Sequence, residues 1–293
     1  MRVLITGCYG QVGHCLTEQL VDEEGTIVLS LDRDQLDITN QDAVNTIVDD
    51  FQPTIIINAA AHTAVDKAEE EVDLSYAINR DGPSYLAQAA QRVGVPILHI
   101  STDYVFEGNK IGEYVESDIT NPQGVYGESK LAGEIAVVNA CDKHIILRTA
   151  WVFGENGNNF VKTMLRLGAT HNALSIVGDQ FGGPTYAGDI AYALIKIAKR
   201  ITQGDEIEYG VYHYSGLPHV SWFEFANAIF DTAVEQKVIL NKPSLTSITT
   251  DQYPTSAKRP SNSRLSTDKI TSNFGIKASD WAVALNNIQA YKG

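Results

Sequence analysis

A tyrosine and a lysine stand four residues apart in "VYGESKLAGE", residues 125–134. On a helix this spacing puts Tyr126 and Lys130 on one face, one turn from each other. A tyrosine with an ordinary pKa of about 10 handles protons poorly near neutral pH. A neighbouring ammonium favours the tyrosinate and draws that value down. The pair is therefore suited to proton transfer, although a packed aromatic beside a solvated lysine has the same spacing. Upstream, "ISTDYVF" (100–106) places Ser101, Thr102 and Asp103 at the end of an apolar run. A hydroxyl there can hold a reacting oxygen in position.

These residues need a scaffold that brings a strand end and a helix start together. Apolar runs at 2–6, 26–31, 54–58, 96–101 and 144–149 read as strands. "GQVGHCLTEQLV", "NQDAVNTIVDDF", the stretch near 66–92 and "SKLAGEIAVVNA" read as helices. The strands are almost continuously apolar, so both faces are buried, as in a parallel sheet covered by helices on two sides. The alternation predicts an α/β fold with a doubly wound parallel sheet over residues 1–150. Further on the pattern loosens. Residues 174–200 read as a strand, a loop and a helix, part of which returns to the first unit. "VYHYSG" with "SWFEFANAIFDTA" reads as another unit, and 241–267 is polar, proline-bearing and weakly periodic. Residues 151–293 are expected to form mainly a smaller, discontinuous domain that closes over the sheet's edge.

The first strand ends in "TGCYGQVG", with Gly7, Gly10 and Gly13 at a strand-to-helix turn. A glycine turn of this kind lets the backbone approach a pyrophosphate, and the helix N-terminus offers it free N–H groups. A plain βα turn is the alternative. Asp32 ends the second strand, 19 residues after Gly13, where a carboxylate can take both ribose hydroxyls of NAD. Arg33 follows and can meet a 2′-phosphate, so NADH is slightly favoured and NADPH stays open. Residues 1–150 thus read as a dinucleotide-binding (Rossmann) domain, with the substrate domain following. "NAAAHT" (58–63) brings Ala59, Ala60 and Ala61 past the cofactor, or packs them under a loop. His62 and Asp66 lack a third ligand, so a local polar contact is expected there and no metal.

In open α/β sheets, ligands bind outside the carboxyl ends of the strands. Thr102 and the start of the Tyr126 helix both lie there. Ketone reduction needs a hydride at carbon, which a reduced nicotinamide supplies, and a proton at oxygen. Tyr126 would give the proton, Lys130 would shift the tyrosine and hold the nicotinamide ribose, and Thr102 would fix the substrate oxygen. "SAKRPSNSRLS" (256–266) gathers Lys258, Arg259 and Arg264. Arginine forks suit a nucleotide diphosphate, and a solvated basic loop is the alternative. Trp151 follows the fifth strand and suits a sugar contact or core packing, while Phe181 reads equally as a loop anchor or a stacking ring.

Bulk composition bounds the partners. Net charge is −14 over 293 residues, with 44% apolar and 20% charged. That opposes a general nucleic-acid binder, which needs a basic footprint. Cys8, Cys15 and Cys141 have neither disulfide-scaffold number nor zinc spacing, and read as buried thiols. No stretch has the length of a membrane span, and no secretory signal fits, so a cytoplasmic location is expected.

The glycine turn, "STDYVF", "YGESKLAGE" and "RTAWVFG" together resemble the extended short-chain dehydrogenase/reductase superfamily. Within it, "NAAAHTAVDKAE", "GNNFVKTMLRL", "DQFGGPT" and "KRPSNSRL" resemble the dTDP-4-dehydrorhamnose reductases, from residue 1 to about 281. The resemblance implies reduction of dTDP-4-dehydro-6-deoxy-L-mannose at C4 to dTDP-L-rhamnose, for cell-surface polysaccharide. It implies Tyr126 as proton donor, and Thr102 where many relatives carry serine. Gly10, Gln11, Val12, Asp32, Ala60, Ala61, Thr63, Tyr126 and Lys130 carry over as cofactor contacts. Thr102, Asp103, Tyr126 and Trp151 carry over on the sugar side. Some members form a homodimer bridged by magnesium through carboxylates. Where those are expected this chain has Cys15 and Gly188, so no metal ligands are assigned. A related epimerase keeps the same Tyr and Lys. A dehydratase would want an acidic residue after Asp103, where Tyr104 stands. A non-catalytic subunit, like the methionine adenosyltransferase beta subunit, is the reading from another class.

Overall fold

Val3, Leu4 and Ile5 are all fully buried, although adjacent side chains of a strand point to opposite faces. The computed structural model, which describes residues 1–292, shows why. Six strands form one parallel sheet: β1 (Arg2–Thr6), β2 (Ile27–Leu31), β3 (Ile55–Asn58), β4 (Ile97–Thr102), β5 (His144–Thr149) and β6 (Gly210–His213). Their order across the sheet is β2-β1-β3-β4-β5-β6. Helices α1 (Gln11–Val21), α2 (Gln41–Phe51), α3 (Gly82–Val93), α4 (Val125–Ala140), α5 (Phe160–Gly168), α6 (Ala187–Thr202) and α7 (Trp222–Glu235) are the longer ones. Val3 and Ile5 join a core with Leu16 and Leu20 of α1 and Ile190 and Leu194 of α6. Leu4 joins the opposite core with Val44 and Val48 of α2 and Leu86 and Ala90 of α3. The chain leaves β1 towards one edge and returns on its other side as β3, so the strand order reverses between them. That switch point is where an open α/β sheet binds its ligand.

A third core, built on Phe153, Val161, Phe225, Ile229 and Trp281, belongs to the second lobe. The structure differs from the sequence reading in three places. "VYHYSG" supplies β6, which pairs with β5 and extends the large sheet. The strand Ala173–Val177 does not join that sheet; it pairs in parallel with Ser244–Ile248, inside the stretch that reads as aperiodic. That ribbon is half exposed, so it carries no strong apolar alternation. The helical stretch near 66–92 is several pieces, Val65–Ala68, Val72–Tyr76, a π-turn at Ala77–Asp81 and then α3. Gly133 of α4 lets the π-turn come close: a Cβ there would lie 2.0 Å from the Asn79 carbonyl oxygen, so the two backbones are in contact.

Candidate active site

The glycine turn is held from three directions. Gly7 and Cys8 N–H groups both donate to the Leu31 carbonyl, at 2.9 and 3.2 Å. Gly7 has φ +75°, and a Cβ on it would lie 2.6 Å from Ala60 N. A Cβ on Gly13 would lie 2.1 Å from the Gly7 carbonyl oxygen. Gly10 caps α1 without a side-chain bond, so the first N–H groups of the helix face open space. In front of them lies a hollow of about 450 Å³ lined by Gly7, Gly10, Asp32, Arg33, Ala60 and Ala61. Asp32 accepts the Gln35 N–H at 3.0 Å through Oδ1. Arg33 is exposed and forms no ion pair among the described residues. The cradle fits a dinucleotide phosphate: glycine is required where the backbone is closest, and donors are free where an anion would lie.

A second hollow, of about 640 Å³, adjoins it through Gly10, Ala59 and Ala61. Gln11, Val12, Thr63, Thr102, Asp103, Tyr126, Lys130, Trp151 and Arg259 line its walls. The sequence-predicted hydroxyl, tyrosine and lysine therefore meet in one place. Lys130 is 2% exposed, and its Nζ donates to the Ile100 carbonyl at 2.7 Å. Burial pushes its pKa down to about 8, against an opposing pull from Glu134. Tyr126 departs from expectation. Burial raises its pKa above the ordinary value, aided by Asp103 and Tyr104, while the Thr102 hydroxyl works the other way. The tyrosine is thus held protonated. Lys130 does not depress it here because burial dominates and the ammonium is turned to the Ile100 carbonyl. Burial likewise pushes Asp103 up to about 6, against hydrogen bonds from Ser263 and Thr102. Asp103 Oδ2 is buried without a hydrogen-bond partner.

The outer wall comes from the second lobe. Trp151 sits at φ 50°, an uncommon conformation for a non-glycine residue, and stacks on Trp222 with centroids 3.5 Å apart. Arg259 reaches the hollow and donates to Asp66 Oδ2 at 2.7 Å. Arg264 does not line either hollow. Its Nε donates to Asn262 at 2.7 Å, and its guanidinium lies 5.8 Å from the Phe181 ring. The expected contact between His62 and Asp66 is also not made. His62 reaches Ser75 at 2.9 Å and Glu71 at 3.1 Å, because the loop after β3 turns it away from the Asp66–Arg259 pair.

A family model described as the RmlD substrate binding domain matches residues 1–291. The dTDP-4-dehydrorhamnose reductase of Aggregatibacter actinomycetemcomitans is 56% identical over 290 residues, spanning 99% of each chain. The chain belongs to the dTDP-4-dehydrorhamnose reductase family. The member from Sinorhizobium fredii is 43% identical over 96% of this chain and 94% of its own. Among solved structures, the family member from Clostridium acetobutylicum matches with TM-score 0.91 at 41% identity, over 99% and 98% of the two chains. The Bacillus anthracis reductase, solved with NADP, matches with TM-score 0.89 at 40% identity over 98% of each.

The resemblance to the dTDP-4-dehydrorhamnose reductases implied magnesium-bridging carboxylates at the positions of Cys15 and Gly188. Cys15 and Gly188 do line one hollow, together with Glu18, Glu155 and Tyr186. The Cys15 thiol is pushed up to about 12 by burial and by the carboxylates of Glu155 and Glu18. Glu155 accepts the Tyr186 hydroxyl at 2.8 Å. The two implied positions thus supply a protonated thiol and no side chain, neither of them the hard oxygen ligand that magnesium takes.

Sequence reasoning missed three groups. Asn79 in the π-turn, fully buried, donates to the His62 carbonyl at 3.1 Å and to Ser129 at 3.0 Å, tying the loop after β3 to α4. Asn159, the cap of α5, donates to Gln11 at 3.0 Å and so joins that helix to the glycine turn. Glu134 and Arg148 form a buried ion pair behind Lys130. Glu134 carried a signal: it lies four residues beyond Lys130, on the same helix face.

Proposed function

We propose that the chain reduces the C4 keto group of dTDP-4-dehydro-6-deoxy-L-mannose to dTDP-L-rhamnose with NADPH or NADH. The carrying observation is the buried Tyr126–Lys130 pair beside Thr102, in a hollow continuous with the glycine cradle. Gly7, Gly10, Gln11, Val12 and Gly13 would hold the pyrophosphate, and Asp32 or Arg33 the adenosine ribose. When bound, the nicotinamide supplies the hydride. Thr102 donates to the C4 oxygen and fixes it beside Tyr126. Tyr126, kept protonated by burial, releases its phenolic proton to that oxygen as negative charge develops there. Lys130 holds the nicotinamide ribose and stabilises the tyrosinate that remains. Trp151 and Arg259 close the outer wall and exclude water; Arg259, freed from Asp66, would turn to the diphosphate. The large-sheet unit takes the dinucleotide and the second lobe takes the sugar nucleotide. The three free cysteines, all buried, fit a reducing cytoplasm.

The test is direct. Purified protein with NADPH and the keto sugar should consume reduced cofactor, measured by absorbance. Tyr126→Phe should lose about 10²- to 10⁴-fold in kcat while still binding NADPH. A folded parent that binds NADPH but leaves this sugar unreduced refutes the proposal.

A further inference from the structure

The catalytic helix rests on a buried ion pair that the proposed steps do not use. Glu134 is one turn beyond Lys130 on α4. Arg148 of β5 meets it with two hydrogen bonds, Nε to Oε1 at 2.9 Å and Nη2 to Oε2 at 2.6 Å. The two side chains are 5% and 4% exposed. Ser101 Oγ donates to the same carboxylate. Ser101 stands opposite Arg148 in the β4–β5 pairing, and Thr102 stands opposite Thr149 one step on. One carboxylate thus ties α4 to two strands, immediately before the catalytic hydroxyl. Burying an ion pair is expensive, and well-packed apolar residues often serve stability as well. A pair in this position calls for a reason besides stability.

We propose that Glu134 is a positioning residue for Tyr126 and Lys130: clamped by Arg148 and Ser101, it fixes α4 against Thr102 and holds a negative charge towards the buried ammonium. The inference rests on the reductase reading of the same site. The groups that face Lys130 are few. Tyr126 and Glu134 lie on its own helix, His99 on β4 and Asp103 just past its end, and Arg148 on β5 behind Glu134. His99 is neutral, held well below its ordinary pKa by burial and by Lys130 itself. Asp103 is pushed towards protonation by burial. Arg148 is paired with Glu134 through Nε and Nη2, and its guanidinium lies over the Phe106 ring. Glu134 is the group that supports the ammonium against burial. Lys130 works only while charged, both towards a ribose hydroxyl and towards the tyrosinate. Without the carboxylate, only the Ile100 carbonyl is left to hold the ammonium against burial, and the lysine loses its proton at lower pH.

Glu134→Gln removes the charge and keeps the shape. The profile of kcat/KM against pH should keep its form, with the alkaline limb moved down by about one pH unit. NADPH affinity should be near the parent's in mild acid and fall earlier as pH rises. A profile that superimposes on the parent's after scaling makes the pair purely structural and overturns the proposal. Because Glu134→Gln strands Arg148, the double variant Glu134→Gln/Arg148→Met is measured alongside. It removes both charges, so Lys130 loses the carboxylate without gaining an unpaired cation; the limb should still move down, by less than in Glu134→Gln, with a melting temperature near the parent's. A parent-like limb in the double variant also overturns the proposal. If the parent itself reduces no keto sugar, the reductase reading fails instead, and NADPH affinity against pH still reports on Lys130.

Discussion

An alanine at Gly13 would put a methyl carbon 2.1 Å from the Gly7 carbonyl oxygen, 2.8 Å from its carbon and 2.9 Å from Cys8 Cα. Ordinary contact begins near 3.4 Å, and all three neighbours are backbone, so no side chain can swing aside. The Gly7 carbonyl must retreat by roughly 1 Å. It has little room, because Gly7 lies against the backbone of Ala59 and Ala60 and both Gly7 and Cys8 are hydrogen-bonded to Leu31. Overpacking of this kind costs about 1–3 kcal/mol. A 1 Å displacement of a binding turn can lose on the order of 10²-fold. Gly13→Ala should therefore weaken NADPH binding by roughly 30- to 100-fold and lower the melting temperature by several degrees. Fluorescence titration with NADPH, together with a thermal melt, measures both. Gly25→Ala is the control: Gly25 also has positive φ, +72°, but nothing lies within 4 Å of its Cβ position. It should lose stability through strain and keep its NADPH affinity. A folded Gly13→Ala protein binding NADPH within about twofold of the parent would refute the close-approach argument.

Asp103 gives a pH test. Its folded pKa, about 6, lies above the unfolded value of about 3.9, so its contribution to stability is present below the unfolded pKa and lost as pH rises through 6. At pH 8 the penalty is about 3 kcal/mol. Asp103→Asn should gain melting temperature relative to the parent between pH 4 and pH 8; an equal difference at both ends contradicts the buried acid. Arg259→Ala should raise KM for the nucleotide sugar about tenfold or more, whereas Arg264→Ala, whose side chain lies outside the hollow, should leave it near the parent's. The reverse order in steady-state kinetics would show the diphosphate lying elsewhere. Arg33→Ala should raise KM for NADPH about tenfold and leave NADH unchanged, since only the former carries a 2′-phosphate; equal effects on both cofactors would exclude that contact.

The strands of the large sheet up to β5, the glycine turn and the helix bearing Tyr126 were legible in the sequence because near neighbours decide them. A continuous Val- and Ile-rich run reports burial on both faces, and a glycine triplet reports a backbone contact, whatever packs outside. The Tyr126–Lys130 spacing is likewise a property of one helix. Only the tertiary structure decided the rest. β6 is a short run that becomes a sheet strand only because β5 offers an open edge. Arg259 and Arg264 are five residues apart, yet one meets Asp66 across 193 residues of chain and the other turns to Phe181. Glu134 and Arg148 lie on different elements and become a buried pair only when α4 packs on β4 and β5. The direction of the Tyr126 shift follows from burial, which the spacing cannot report. Local pattern carries backbone geometry; the protonation states and ion partners of this site depend on which distant segments exclude water from it.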